Sequence, residues 1–148
     1  MIKICFVCHG NICRSPMAEF VMKALLEKEG IKNVKVTSSA TSTEEIWNGI
    51  GNPVYPPARR ELEKHGLSCT GKRAVQLKKS DYEEYDMFVA MDQNNVRNIF
   101  RIFGSDPENK VRKLNGNDIS DPWYSGDFET CYKDIETGCK NLLKELTK

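Results

Sequence analysis

Residues 2–16 read IKICFVCHGNICRSP, and this stretch predicts how the fold begins. Residues 2–7 are mostly apolar, which favours a strand covered on both faces. A glycine-containing loop follows, and the Ser15-Pro16 step predicts a helix N-terminus, because serine caps helices and proline suits their first turn. A strand, a tight loop and a helix N-terminus in this order favour an anion-binding site, since free N–H groups and the helix dipole attract negative charge.

Two side chains of this loop suggest phosphate chemistry. Arg14 carries a planar guanidinium that matches two phosphate oxygens. Cys8 lies near a cation and a helix N-terminus, which favour the thiolate form, so we expect a nucleophile at neutral pH. We expect Gly10 to adopt the positive φ that a tight turn needs, and Asn11 to lock the loop by side-chain hydrogen bonds. The other predicted phosphate-binding residues of the loop are His9, Ile12, Cys13 and Ser15.

Two other interpretations of the loop stay open at this point. Cys5 and Cys8 have the spacing of a metal-binding pair, but no second Cys or His pair follows at a matching spacing. Alternatively, the loop is only a turn and a helix cap, with Cys8 as a small buried apolar side chain. We expect neither a metal nor a cofactor.

The rest of the chain predicts an α/β fold. Its 148 residues and 39% hydrophobic content suit one domain over residues 1–148. Short apolar runs alternate with amphipathic stretches, and ligands of such sheets bind at the carboxyl ends of the strands. The predicted strands are residues 2–7, 34–38, 86–91 and 111–114, and the predicted helices are residues 16–29, 57–64, 93–103 and a last helix beginning near residue 128.

Charge and cysteine content restrict the partners and the compartment. There are 22 Lys and Arg against 21 Asp and Glu, so no overall field favours nucleic acid or an anionic membrane. No apolar run is long enough to span a membrane, and the N-terminal residues do not resemble a secretory signal. We expect a cytoplasmic monomer whose six cysteines are reduced, with Cys131 and Cys139 in the core.

Residues 118–126, DISDPWYSG, form the second informative stretch, predicted as a loop that follows the fourth strand. Asp121 precedes a proline, which holds its backbone extended. If Cys8 attacks a phosphate ester, the oxygen that leaves phosphorus needs a proton, and Asp121 is a candidate for the general acid that supplies it. Trp123 and Tyr124 are placed to flank an aromatic substrate. An ordinary Asx turn at Asp121 and a surface role for both aromatics remain alternatives.

These stretches together resemble the low-molecular-weight protein tyrosine phosphatases. The resemblance rests on residues 7–16, VCHGNICRSP, and on residues 121–124, DPWY. Shorter matches at residues 38–43, 65–66 and 91–92 extend it along essentially the whole chain. It implies a four-stranded parallel twisted sheet with helices on both faces and a phosphate-binding loop after the first strand.

The resemblance also implies the chemistry, which is metal-free hydrolysis of phosphotyrosine in proteins or of small aryl phosphates. Cys8 is then the nucleophile, Arg14 the phosphate ligand and Asp121 the general acid, while Ser15 stabilises the thiolate. The product of the first step would be a phosphocysteine that water hydrolyses.

Supporting roles follow from the same resemblance. Ser38 is expected to support Asn11. Relatives commonly place an aromatic residue where this chain has Glu44. Two expectations follow: either Trp47, within an apparent insertion at residues 47–50, replaces that wall of the cleft, or the loop is remodelled.

Three alternative functions remain open, of which the first two are the hydrolysis of phosphoarginine and the reduction of arsenate. Relatives that act on phosphoarginine have a threonine where this chain has Ile12, and relatives that reduce arsenate use two further cysteines, whereas residues 82–91 hold none. A phosphopeptide-binding module without catalysis is the third alternative. Because Cys13 lies in the same loop as Cys8, we also expect redox sensitivity, with Cys13 capturing an oxidised Cys8 as a disulfide.

Overall fold

A computed structural model describes residues 1–148, and a four-stranded parallel sheet forms its centre. The elements in chain order are β1 (Ile2–Cys8), α1 (Arg14–Lys28), β2 (Val34–Ala40), β3 (Ile46–Trp47), β4 (Ile50–Gly51), α2 (Pro56–Lys64), α3 (Asp81–Glu84), β5 (Met87–Ala90), α4 (Gln93–Phe103), β6 (Val111–Lys113), α5 (Pro122–Ser125) and α6 (Phe128–Leu146). The strand order is β2-β1-β5-β6, so β1 is a central strand.

Helices cover both faces of the sheet, which confirms the predicted fold class. On one face α1, α2 and α6 pack together, and their buried side chains share a core with Ile4 and Phe6 of β1. On the other face Ile99 and Phe103 of α4 pack with Val7. Because β1 is buried on both sides from Ile4 onward, its sequence shows no apolar–polar alternation.

The four predicted strands and the four predicted helices are all present, with boundaries shifted by a few residues. The last helix buries its apolar stripe as expected, including Cys131 and Cys139. All six cysteines are free and buried. No helix combines the length and the apolar character that crossing a membrane would require.

Residues 46–51 form a small hairpin that the sequence analysis did not predict. Strands β3 and β4 are antiparallel and are joined by Asn48 and Gly49, both with positive φ (51° and 77°). Two successive residues with positive φ suit the tight turns that connect twisted strands. Gly51 lies so close to the backbone of Ala74 that a Cβ atom would be 1.9 Å from its carbonyl oxygen. The apparent insertion is therefore an ordered hairpin that packs against residues 73–74.

Candidate active site

The Cys8 thiol lies at the carboxyl end of β1, and the following loop curves around its sulfur. The backbone N–H groups of Asn11 and Ser15 donate to Sγ at 3.3 and 3.4 Å. The Ser15 hydroxyl lies 3.0 Å from the same sulfur. Asn11 Nδ2 donates to Ser15 Oγ at 2.7 Å, which leaves the hydroxyl proton to point at Sγ. Three donors therefore surround the sulfur, an arrangement that suits a thiolate.

Asn11 holds the loop in this shape. Its φ of 58° is in the left-handed region, where asparagine is one of the few tolerated side chains. The Val75 N–H donates to Asn11 Oδ1 at 3.0 Å, so the buried amide connects the loop to a second segment of the chain. The expectation of positive φ at Gly10 was wrong, because Asn11 makes that turn. Gly10 instead leaves room for Glu45, whose Cγ would be 3.2 Å from a Cβ at this position.

The start of α1 also differs from the prediction. Helix α1 begins at Arg14 with Cys13 at the N-cap, so Ser15 lies inside the first turn and is not the cap. The reason is that the Ser15 hydroxyl is directed at Cys8 and Asn11 instead of at the helix backbone. The N-cap side chain makes no capping hydrogen bond, and the Ser15 N–H in the first turn of α1 donates to the Cys8 sulfur instead.

The Arg14 guanidinium is buried beside the sulfur. Its Nη1 donates to Asp92 Oδ2 at 2.7 Å and to the Ile119 carbonyl at 2.8 Å. Nη2 lies 3.6 Å from Asp121 Oδ2. Burial opposes the positive charge, but Cys8 and the two carboxylates outweigh burial and raise the pKa of Arg14. The guanidinium is therefore charged and fixed in orientation.

Asp92 is a site residue that the sequence analysis missed. It is the N-cap of α4, and its Oδ1 accepts a hydrogen bond from the Asn95 N–H at 2.7 Å. Its position directly after β5, at the same edge of the sheet as the loop after β1, is the feature that points to it.

Asp121 reaches the site from the far end of the chain. It is the N-cap of α5 with φ −78° and ψ 113°, which confirms the extended conformation expected before a proline. Its Oδ1 accepts a hydrogen bond from the Trp123 N–H at 3.0 Å. Residues 122–125 form one helical turn, where a loop was predicted.

A cleft opens above the sulfur. On one side His9 Nε2 pairs with Glu44 Oε2 at 3.0 Å, and on the other side stand Trp123 and Tyr124. Glu44 thus lines the cleft at the position where the resemblance led us to expect an aromatic residue. The residues around the cleft are Cys8, His9, Gly10, Ile12, Cys13, Arg14, Glu44, Glu45, Asp121, Trp123 and Tyr124.

Two predicted supporting residues do not have the contacts expected of them. Ser38 donates from Oγ to Glu19 Oε1 at 2.5 Å and makes no hydrogen bond to Asn11. Buried Glu19 requires such donors, which explains the difference. Trp47 is outside the cleft, on the hairpin, with 79% of its surface exposed, because the hairpin turns its side chain away. It therefore does not replace the missing wall.

The remaining thiols differ from Cys8 in their surroundings. Burial raises the pKa of Cys5 to about 11 and that of Cys131 to about 12. Burial, followed by the charge of Cys8, also raises the pKa of Cys13. These thiols stay protonated at neutral pH.

The metal-binding interpretation of Cys5 and Cys8 does not fit the sheet. Cys5 belongs to the core on one face and Cys8 to the core on the other, so they cannot share an ion. No three His, Cys, Asp or Glu side chains lie together in a way that could hold a metal.

Comparison with known proteins places this arrangement in a known family. The family model of the low molecular weight phosphotyrosine protein phosphatases matches residues 3–148. The chain is 36% identical, over 154 residues, to the low molecular weight protein-tyrosine-phosphatase PtpA of Staphylococcus saprophyticus, with 100% of this chain and 96% of PtpA covered.

Solved structures agree with this placement. The crystal structure of YfkJ from Bacillus subtilis is 33% identical with a TM-score of 0.92, and the match covers 99% of this chain and 95% of YfkJ. A mutant of the YwlE arginine phosphatase with a phosphorylated active-site serine is 27% identical with a TM-score of 0.85, covering 99% and 97%.

The fold and the site define a protein phosphatase of the α/β class, in which a loop after the first strand forms the floor of the cleft. The chain belongs to the low-molecular-weight protein-tyrosine-phosphatase family. It is accordingly an enzyme, a phosphoric monoester hydrolase.

The geometry of Asn11 gives a direct test. Asn11→Ala removes two buried hydrogen bonds and leaves an alanine with positive φ, so the free energy of unfolding should fall by about 2–4 kcal/mol. Inhibition by inorganic phosphate should weaken, because the loop N–H groups lose their alignment. Denaturant unfolding and phosphate inhibition measure the two effects.

Asn109→Ala is the matched control for this test. Asn109 also has positive φ (53°), but it is exposed. Its replacement should cost only about 1 kcal/mol, the backbone part of the penalty, and leave phosphate inhibition unchanged. Equal losses in the two variants would show that the Asn11 amide does not hold the loop.

Proposed function

We propose that the protein hydrolyses phosphotyrosine in proteins, and small aryl phosphates, through a phosphocysteine intermediate. Cys8 is the nucleophile, Arg14 and the loop N–H groups bind the phosphoryl oxygens, and Asp121 is the general acid. The observation that carries this proposal is the Cys8 sulfur, surrounded by three hydrogen-bond donors at the floor of a cleft that Arg14 and Asp121 also line.

In the first step the Cys8 thiolate attacks phosphorus. An S–P bond forms, the P–O bond to the tyrosine ring breaks, and the leaving oxygen takes a proton from Asp121. Asp121 Oδ2 lies 3.6 Å from Arg14 Nη2, which places the acid beside the oxygens that Arg14 binds. In the second step Asp121, now a carboxylate, takes a proton from water as the water attacks phosphorus, and Cys8 leaves as the thiolate.

The charges at the floor of the cleft determine which groups a phosphate dianion can approach. The Cys8 thiolate and the Asp92 carboxylate carry two negative charges against the single positive charge of Arg14. A phosphate dianion therefore binds through the loop N–H groups and the N-terminus of α1, and a second free carboxylate would repel it. Protonation of Asp121 removes that repulsion and supplies the proton that the leaving group needs.

The walls of the cleft favour an aromatic ester. Trp123 and Tyr124 are both exposed at the mouth, where their faces can stack on a substrate ring. The relative YwlE, an arginine phosphatase, makes phosphoarginine the second candidate substrate. The family resemblance implies a threonine at the position of Ile12 in relatives that act on phosphoarginine, so the isoleucine of this chain favours phosphotyrosine. Turnover of phosphotyrosine and phosphoarginine peptides of one sequence distinguishes the two, and turnover of p-nitrophenyl phosphate in EDTA excludes a binding module without catalysis.

Replacement of the nucleophile tests the covalent step. Cys8→Ser should still bind phosphate or vanadate, because Arg14 and the loop are intact, yet release no product, since a serine hydroxyl is a far weaker nucleophile in a site suited to a thiolate. Isothermal titration with vanadate and a phosphate-release assay measure the two properties. Activity within tenfold of the parent would rule out Cys8 as the nucleophile.

Replacement of the acid tests proton transfer. Asp121→Ala should lose about 10²–10⁴-fold in kcat/KM on phosphotyrosine, whose phenol has a pKa of about 10, and much less on nitrophenyl esters, which need no proton. The measurement is kcat/KM across a series of aryl phosphates, because this ratio reports the first chemical step. Equal losses across the series would mean that Asp121 only positions the loop, and Asp118 would be the next candidate.

The same loop suggests redox protection by Cys13. Peroxide oxidises the Cys8 thiolate to a sulfenic acid, and attack by Cys13 would form a disulfide and release water. Cys13 lines the cleft beside Cys8, although burial raises its pKa and slows this attack. Activity should therefore return with dithiothreitol after peroxide treatment of the parent, and return less completely in Cys13→Ser. Full recovery in the variant would refute protection by Cys13.

A further inference from the structure

We infer that Tyr55 is the positioning residue for Asp121: it clamps the acid segment, residues 121–125, to the phosphate-binding loop. This inference rests on the proposed role of Asp121 as the general acid. It concerns a residue that does not line the cleft and that acts only through its neighbours.

The first half of the clamp is a backbone contact. The Tyr55 N–H donates to the carbonyl oxygen of Ile12 at 2.9 Å, and Ile12 is part of the phosphate-binding loop. Tyr55 is also the N-cap of α2, and Pro56 follows it in the first turn of that helix. Its backbone is therefore fixed relative to both the loop and α2.

The second half of the clamp is an aromatic contact. The rings of Tyr55 and Trp123 pack with centroids 4.7 Å apart at a tilt of 50°. The Phe128 ring also packs on Tyr55, with centroids 6.1 Å apart. Tilted rings at these separations attract each other beyond the area that they bury. The backbone N–H of Trp123 in turn donates to Asp121 Oδ1 at 3.0 Å. A continuous set of contacts thus runs from Ile12 through Tyr55 and Trp123 to the carboxylate of Asp121.

The acid segment needs such support. Its helix α5 spans only Pro122–Ser125, and one isolated turn is not stable by itself. Of its four residues only Pro122 is buried. The nearest charged partner of Asp121, Arg14 Nη2, is 3.6 Å away, which is too long for a strong hydrogen bond. Because proton transfer depends on hydrogen-bond reach, a small displacement of Asp121 would remove its catalytic effect.

Tyr55→Ala is therefore expected to behave as a weaker form of Asp121→Ala. Loss of the contact between Tyr55 and Trp123 should reduce the fraction of molecules with Asp121 correctly placed by about two- to tenfold. The loss in kcat/KM should reach that size for phosphotyrosine and be smaller for nitrophenyl phosphate, because only the basic leaving group needs the acid. Tyr55→Phe keeps the ring contacts and should retain the parent dependence on the leaving group.

Two controls separate positioning from general damage. Tyr85→Ala removes another half-buried tyrosine that packs on an aromatic ring, Phe88, at 5.6 Å, but away from the cleft. It should not change the dependence on the leaving group. If Tyr55→Ala does not fold, Tyr55→Leu fills part of the same space without a ring and should give the same steeper dependence.

A double substitution completes the test. If Tyr55 acts only through the acid, Tyr55→Ala adds no leaving-group dependence once Asp121→Ala is present. Equal losses on all esters in Tyr55→Ala or Tyr55→Leu, or a full additional loss in the double variant, would overturn the clamp. If Asp121→Ala itself shows no dependence on the leaving group, the proposed acid role fails first and the clamp fails with it. A steeper dependence in Asp121→Ala but not in the Tyr55 variants refutes the clamp alone.

Discussion

Hydrogen bonds to the sulfur of Cys8 impose the shape on which the rest of the site depends. Two backbone N–H groups and one hydroxyl reach Sγ only if the loop turns sharply at Asn11 and α1 starts at Arg14. Because α1 starts at Arg14, the Arg14 side chain lies buried beside the Cys8 sulfur. A buried guanidinium requires acceptors, and the segments that follow β5 and β6 supply them as the Asp92 carboxylate and the Ile119 carbonyl. The parallel sheet thus brings acceptors from distant parts of the chain to the arginine that lies beside the Cys8 sulfur.

The parts of the fold that the sequence predicted are those governed by local pattern. Buried strands read as continuous apolar runs, and the stripes of α1 and α6 have helical spacing, so their positions follow from periodicity. The sequence analysis missed the hairpin at residues 46–51 and the single turn of α5, because elements this short show no hydrophobic periodicity. The conformation of the hairpin comes instead from positive φ at Asn48 and from the close packing of Gly51 on the distant residue Ala74.

The site shows the same division. Cys8 and Arg14 could be chosen as candidates from residue type and from their place in a loop between a strand and a helix N-terminus, and Asp121 from its Asp-Pro context together with the family resemblance. The partners of these residues could not, since partner choice is tertiary: Ser15 turns toward sulfur instead of capping α1, and Ser38 serves Glu19. Asp92 falls in the short match at residues 91–92 but had no role there, and Tyr55 falls in no motif, so only their tertiary contacts reveal them.

The placement of β1 in the middle of the sheet has a consequence for synthesis in the cell. Cys8 leaves the ribosome long before β5 pairs with β1 and before α6 packs on α1. Pairing between strands so far apart in sequence is slow, and it waits for chain that has not yet been made. Until then the thiols that burial keeps protonated and inaccessible in the finished protein stand open to oxidants and to one another. The nascent chain thus depends on a reducing environment more than the folded enzyme does.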